Sequence, residues 1–407
     1  MILPFFLRLN YSGICNLEIM NNLKNLFLLS NEYRHLNHGS FGACPKPIFE
    51  NYQYWQLELE RNPVDFFVNK GNIQLQRSKE TLGKYINCDP DDLILTTNPT
   101  YAINIIAKSL NLNAGDEILS TNHEYGALDR TWKYYCNKVG AKYIRQEIPI
   151  PLHSKEEFIE SFWKGYSKNT KVIFISQITS MSATIFPVAE ICKRAKELGL
   201  LTIVDGAHVP GHIPLNLTSL KADIYTGACH KWMLTPKGCS FLFARKEIQN
   251  DFDPVIISWG FDADMPGKSK FLDYHQLQGT RDYSAFLTIP TAIKFLDDYN
   301  WKQVSARAKQ LILDNYQDLC NIFGTQPVCP VNSDFLGQIC SIPVPIDDPQ
   351  KLKSILYDKY KIEIPVFKLN GQVYIRLSTQ AYVNQEDINY LKECLIEVRD
   401  TANILNT

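Results

Sequence analysis

The chain has 407 residues, 45% hydrophobic and 21% charged, a composition that supplies a large core and excludes a disordered or fibrous chain. Its 42 basic and 43 acidic residues leave a net charge of −1 and are mixed along the sequence, so a nucleic-acid or anionic-lipid partner is excluded and a small molecule is expected. Eleven cysteines without a C-x-x-C pair read as reduced thiols of a cytoplasmic protein, and the apolar start from Met1 ends at Arg8, too short for a membrane span.

Residues 1–30 are expected to be a poorly ordered N-terminal extension or an over-long translation start. Helical spacing follows from about Leu57 to Gln76, interrupted at Asn62-Pro63, with a second helix continuing to Tyr85. Asp91 to Thr96 reads as a strand entering a turn at Asn98-Pro99-Thr100, and a helix runs from Tyr101 to Leu110. Strands Glu117–Ser120, Lys142–Gln146, Lys171–Ser176 and Leu201–Val204 then alternate with helices Leu128–Val139, Lys155–Trp163 and Val188–Leu198. That order predicts a parallel sheet covered by helices on both faces, with further strands at Ala222–Tyr225 and Ser240–Ala244.

After Pro290 the pattern changes to helices near Thr291–Asp298 and Gln303–Phe323, strands near Gly337–Ile342 and Val373–Leu377, and a last helix from Gln385. The expected fold class is therefore α/β: a mostly parallel sheet sandwiched by helices in a large domain, residues 50–290, plus a small α+β domain built from 31–49 and 291–407.

In open α/β sheets ligands sit beyond the carboxyl ends of the strands, where this sequence places Thr100, Tyr125, Ser180, Asp205, His208 and Lys231. The sharpest local pattern is Ile203-Val204-Asp205-Gly206-Ala207-His208 followed by Thr226-Gly227-Ala228-Cys229-His230-Lys231-Trp232. Singly, Asp205 reads as a turn cap and Lys231 as a solvated lysine. Together they supply what a pyridoxal cofactor requires, an amine for a Schiff base and a carboxylate that keeps the pyridine nitrogen protonated. No metal is expected: Pro210 and Gly211 break the helix that a zinc pair of His208 and His212 would need.

With these residues in view, the chain resembles the class V aminotransferase family of fold-type I pyridoxal-phosphate enzymes, and within it the isopenicillin N epimerase-like branch, from about Arg34 to Asn384. The resemblance is carried by Leu36-Asn37-His38-Gly39-Ser40-Phe41-Gly42, Asn122-His123-Glu124-Tyr125-Gly126-Ala127, Val204 to His208, His230-Lys231-Trp232, Gly279-Thr280-Arg281-Asp282 and Tyr374-Ile375-Arg376-Leu377-Ser378. It implies pyridoxal 5′-phosphate as cofactor, with Lys231, Asp205 and Tyr125 catalytic. Thr100 and His230 are implied as phosphate ligands, the first at a helix N-terminus, where a simple helix cap is the alternative. Tyr125 would stack on the cofactor ring with His123 as competitor, His208 would pack beside the ring or its phenolic oxygen, and Ser180 would lie near that oxygen. Thr280 would reach the phosphate of a neighbouring subunit, which implies a homodimer. Arg376 would grip the substrate carboxylate, a task suited to a planar bidentate donor, with Asn37 beside the substrate. Two departures are Ala228, where the branch commonly has asparagine, and Pro99, which offers no N–H to the phosphate.

The resemblance does not choose between epimerisation, elimination and transamination. Residues Ile362 to Gly371 contain no cysteine, which rejects sulfur transfer through a persulfide. Epimerisation needs a second acid opposite Lys231, for which Tyr125 and His123 are the candidates. The expectation is an amino-acid epimerase or racemase acting at Cα, with a cysteine or cystine C–S lyase or an aminotransferase as alternatives, and a catalytically silent binding relative as the rival from another class.

Overall fold

The structure, a computed structural model, describes residues 23–401. Of the expected N-terminal extension, residues 1–22 lie outside that range. The rest does not hang free: Leu23 and Phe27 are buried, Phe27 bridges to Pro45, and the Lys46 N–H donates to the Leu26 carbonyl at 2.6 Å. Burying two large apolar side chains binds this stretch to the body.

The strands are β1 (Arg34–His35), β2 (Leu93–Thr96), β3 (Glu117–Thr121), β4 (Lys142–Gln146), β5 (Thr170–Ser176), β6 (Leu201–Asp205), β7 (Ile224–Ala228), β8 (Ser240–Ala244), β9 (Ile339–Val344), β10 (Ile362–Glu363), β11 (Val366–Leu369) and β12 (Gln372–Ser378). A seven-stranded sheet has the order β2-β8-β7-β6-β5-β3-β4. Only β8 runs antiparallel to its neighbours β2 and β7, because the chain returns to it from β7 without a helical crossover. The other strands read as apolar runs whose alternate residues serve opposite faces: Ile94, Ile118, Phe174, Ile203 and Ile224 pack into one core, and Leu95, Leu119, Ile173, Val204 and Tyr225 into the other. The second core continues into a three-stranded antiparallel sheet, β11-β12-β9, through Ile339, Ile342, Ile375 and Leu377.

The α/β expectation holds, with local corrections. The helix expected from Leu57 begins at Lys46, entered from Pro45 with Pro47 in its first turn, and ends at Arg61, since Pro63 cannot continue it. A turn of π-helix, Phe66–Lys70, precedes the helix Gly71–Ile86. Strand β7 lies later than expected: Asp223 is held outside it, accepting the Thr202 N–H at 2.7 Å, and the strand runs on to Ala228. Strand β11 was not foreseen; it forms a hairpin with β12 around Asn370-Gly371, both at positive φ, the pair a two-residue hairpin turn demands.

Candidate active site

A cavity of about 740 Å³ opens at the carboxyl ends of β5, β6 and β7, facing β12. Strand β3 lies between β4 and β5 in the sheet, so the chain turns opposite ways after β3 and β5; this switch point is where open α/β sheets leave a crevice. The cavity wall brings together Thr100, Tyr125, Ser180, Asp205, His208, His230, Lys231 and Arg376.

Asp205 ends β6 and is buried, its Oδ1 accepting the Ala207 N–H at 2.9 Å. Its backbone is fixed on both sides, the carbonyl accepting from Gln177 and the next N–H donating to Thr226. Gly206 is required there, because a Cβ would lie 1.9 Å from the Tyr225 hydroxyl. Burial raises the Asp205 carboxyl above its ordinary value, opposed by the Ala207 N–H and the Lys231 charge.

Lys231 follows β7, and the segment from His38 to Gly42 wraps its backbone. The His38 Nε2–H donates to the Lys231 carbonyl at 3.1 Å, and Gly42, at φ +69°, sits where a Cβ would be 2.1 Å from the His230 carbonyl oxygen. The Lys231 Nζ lies 3.2 Å from His208 Nε2. Burial, then the Arg376 charge, push the amine down to about 7, against the attraction of Asp205.

At one end of the cavity are Thr97, Asn98, Thr100, His230 and Gly238. The helix Pro99–Ser109 starts here, its Tyr101 N–H capped by Asn98 Oδ1 at 2.8 Å. A hydroxyl and a helix N-terminus form a donor set suited to a phosphate. Because the Cys239 carbonyl accepts from His230 Nδ1–H at 2.9 Å, the Nε2 of that neutral ring is a bare acceptor, which meets a phosphate through the phosphate's own proton or after taking one up.

At the other side, the Arg376 Nη1 donates to the Ser180 carbonyl and to Ser180 Oγ, and Nη2 donates to Ser40 Oγ at 2.7 Å. Its buried Nε has no hydrogen-bond partner among the described residues. Burial lowers the guanidinium to about 10, so it remains a cation at neutral pH. Tyr125, 45% exposed, stands before the helix Gly126–Val139 at the cavity wall.

Two expected residues, His123 and Asn37, lie off the cavity, and Ser180 and Thr280 have surroundings of their own. His123 does not line the cavity: its ring is buried against Phe186, with Nε2–H donating to the Ile148 carbonyl at 3.1 Å and Nδ1 accepting from Ser182 at 2.9 Å, so neither nitrogen is free for a ligand. Asn37 also lies off the cavity and points to Glu363 at 3.5 Å, whereas its neighbours Gly39, Ser40 and Phe41 form the wall. The Ser180 hydroxyl oxygen accepts from Arg376, and its O–H remains to donate into the cavity. Thr280 is exposed in a separate depression with Gln56, Phe67 and Asp282.

Two contributors escaped the sequence reading. Ser40, inside a quoted motif, orients Arg376. Glu124, buried beside Tyr125, accepts from Thr121 Oγ1 at 2.8 Å and from the Ser176 N–H at 3.0 Å, tying the ends of β3 and β5 together. Burial lifts its carboxyl to about 8, so it is protonated at neutral pH.

The sheet order, the lysine after β7 and the aspartate ending β6 define a pyridoxal-phosphate enzyme of fold type I. The chain belongs to the aminotransferase class-V family, whose model matches residues 51–391. It is 30% identical to isopenicillin N epimerase of Amycolatopsis lactamdurans, over 89% of this chain and 94% of that protein. It is 26% identical to a probable chloroplastic L-cysteine desulfhydrase of Arabidopsis thaliana, over 89% of this chain and 82% of that one. A solved C-DES mutant with glycine covalently linked to its PLP cofactor superposes with a TM-score of 0.78 at 18% identity, covering 94% of this chain and 100% of that one, a likeness of fold alone. The cofactor is pyridoxal 5′-phosphate, and the donor set at the helix N-terminus, Asp205 and the Lys231 amine fit it.

Proposed function

We propose that the chain acts at the Cα of an amino acid as an epimerase or racemase. The observation that carries the reading is the placement of Lys231 in one cavity with Asp205, Tyr125 and the cation of Arg376. Arg376 holds the substrate carboxylate through the guanidinium face that Ser40 and Ser180 orient. When bound, pyridoxal phosphate supplies an electron sink for the Cα carbanion, with its ring nitrogen held by Asp205 and its phosphate by Thr100 and His230. The Lys231 Nζ takes the Cα proton on one face. Tyr125 returns one on the other; His123, both ring nitrogens engaged, is no longer a candidate.

A second reading, a cysteine or cystine C–S lyase, gains support from that loss. Elimination needs Lys231 alone as base, and no cysteine lines the cavity among the described residues to divert sulfur into a persulfide. The relatives support both outcomes.

The free thiols of every described cysteine support a reducing, cytoplasmic setting, and among the described residues no helix is long and apolar enough to cross a membrane. Thr280, exposed outside its own chain's cavity, supports a homodimer in which it serves the partner's phosphate site. The separate sheets support a division into a large part, 50–290, and a smaller one from 31–49 and 291–407.

The test is incubation with a panel of L-amino acids in deuterated water. Deuterium at Cα with lost chirality is the expected result, pyruvate with ammonia establishes the lyase instead, and a keto acid establishes an aminotransferase. Lys231→Ala abolishes turnover and the visible absorbance of the bound cofactor; a variant that keeps both removes Lys231 from the chemistry.

A further inference from the structure

Trp232, next to the lysine, is fully buried and clamped between two imidazoles: His212 stacks on it at 4.0 Å and 23°, and His38 lies 4.9 Å away. The clamp reaches the small sheet's approach, since His212 Nε2 accepts the Gln338 N–H at 2.6 Å while its Nδ1–H donates to the His208 carbonyl at 2.8 Å. The indole N–H of Trp232 lies 3.3 Å from His208 Nδ1.

An indole nitrogen only donates, so His208 Nδ1 is the acceptor and carries no proton. A neutral imidazole with a bare Nδ1 has its proton on Nε2, the atom 3.2 Å from the Lys231 Nζ. An Nε2–H needs an acceptor opposite, and an ammonium has no lone pair; only the unprotonated amine completes the chain. If Lys231 were instead the donor to Nε2, both ring nitrogens would be acceptors, which an imidazole reaches only as an anion.

We propose that Trp232 is a positioning residue that fixes the tautomer of His208 and through it holds Lys231 as the free amine. The inference holds for epimerase and lyase alike. It concerns how the lysine is kept ready as a nucleophile and base, since an ammonium can be neither. The groups facing Lys231 are consistent with it. Arg376 disfavours a second cation, and His208, His38 and His230 are all pushed by burial towards their neutral forms; among the described residues Asp205 alone favours the ammonium.

The test uses the full chain freed of cofactor. Nitrogen-15 spectra of labelled imidazoles report the tautomer, and competitive acetylation across a pH series, read by mass on the Lys231 peptide, reports the amine. In the wild type the His208 proton is expected on Nε2. Trp232→Phe keeps a ring for His212 to stack on but removes the N–H, so His208 is free to present a bare Nε2 to the ammonium. The Lys231 midpoint should then rise by about one pH unit, the worth of one net hydrogen bond. A proton found on Nδ1 of His208 in the wild type overturns the proposal, as does an unchanged Lys231 midpoint in a folded Trp232→Phe variant. The wild-type spectrum decides the matter even if the variant does not fold.

Discussion

At the scale of single residues, the chemistry rests on groups whose charge is set by what surrounds them. Arg376 spends two of its nitrogens on Ser40 and Ser180, so its orientation is fixed before a substrate arrives. Arg376→Lys keeps the charge and loses the fork; at about 2 kcal/mol for a charged hydrogen bond, KM for the substrate identified by the panel should rise roughly 30-fold with a smaller change in kcat. Steady-state kinetics check this, and an unchanged KM would remove Arg376 from carboxylate binding. The sequence made Lys231, Asp205 and Arg376 legible because each is a distinctive residue type inside a short motif. It misplaced His123, since a motif gives the order of side chains but not which way each turns: His123 and Tyr125 are two apart, yet one faces Phe186 and the other the cavity.

At the scale of elements, the alternating strands and helices of the large sheet were readable from apolar runs between turn residues. Less readable was where β7 ends, because Tyr225-Thr226-Gly227-Ala228 mixes small and polar residues and is covered by neighbours distant in sequence, among them β6 and the helix Pro99–Ser109. The β11 hairpin was hidden for a similar reason: its residues alternate only weakly, and the Asn370-Gly371 turn was the clue. The close approach of the chain's start to the lysine was not readable at all, being a long-range contact. It has a testable consequence. Gly42→Ala places a methyl against the His230 carbonyl at a positive φ, which should cost about 1–3 kcal/mol and weaken cofactor binding as well, because the atoms displaced belong to the His230–Lys231 backbone. Gly115→Ala, at φ +89° with no described residue within 4 Å of the added methyl, should carry backbone strain without the cofactor effect. Denaturant midpoints and cofactor titrations of the two variants separate these cases; equal cofactor affinity in both would show that Gly42 is ordinary strain.

At the scale of the whole molecule, burial decides how folding responds to acid. His38 and His212 are lowered to about 3, and His123 and His230 to about 4, each mainly by burial, from an ordinary value of 6.5. The unfolded chain therefore takes up these protons as the pH falls through 6.5 while the folded chain refuses them until 3 to 4, so stability is lost across that window. Each such histidine contributes a slope of about 1.4 kcal/mol per pH unit. Glu124 acts in the opposite sense between 4.5 and about 8, where the unfolded chain releases a proton that the folded chain keeps. The histidines outnumber it, so denaturant midpoints should fall steadily from pH 6.5 to 4; a flat profile would mean that these rings are not held neutral.

The cavity draws Ser40 from near the start of the chain, Lys231 from its middle and Arg376 from close to its end. On the ribosome this imposes an order of events. A nascent chain that has emerged as far as β8 already carries Asp205, Lys231 and the helix N-terminus at Thr100, but Arg376 is still to be synthesised. The residues we propose for the cofactor are complete in sequence before Arg376 exists, so a prematurely terminated product would possess the Lys231 amine without the guanidinium proposed to hold the substrate.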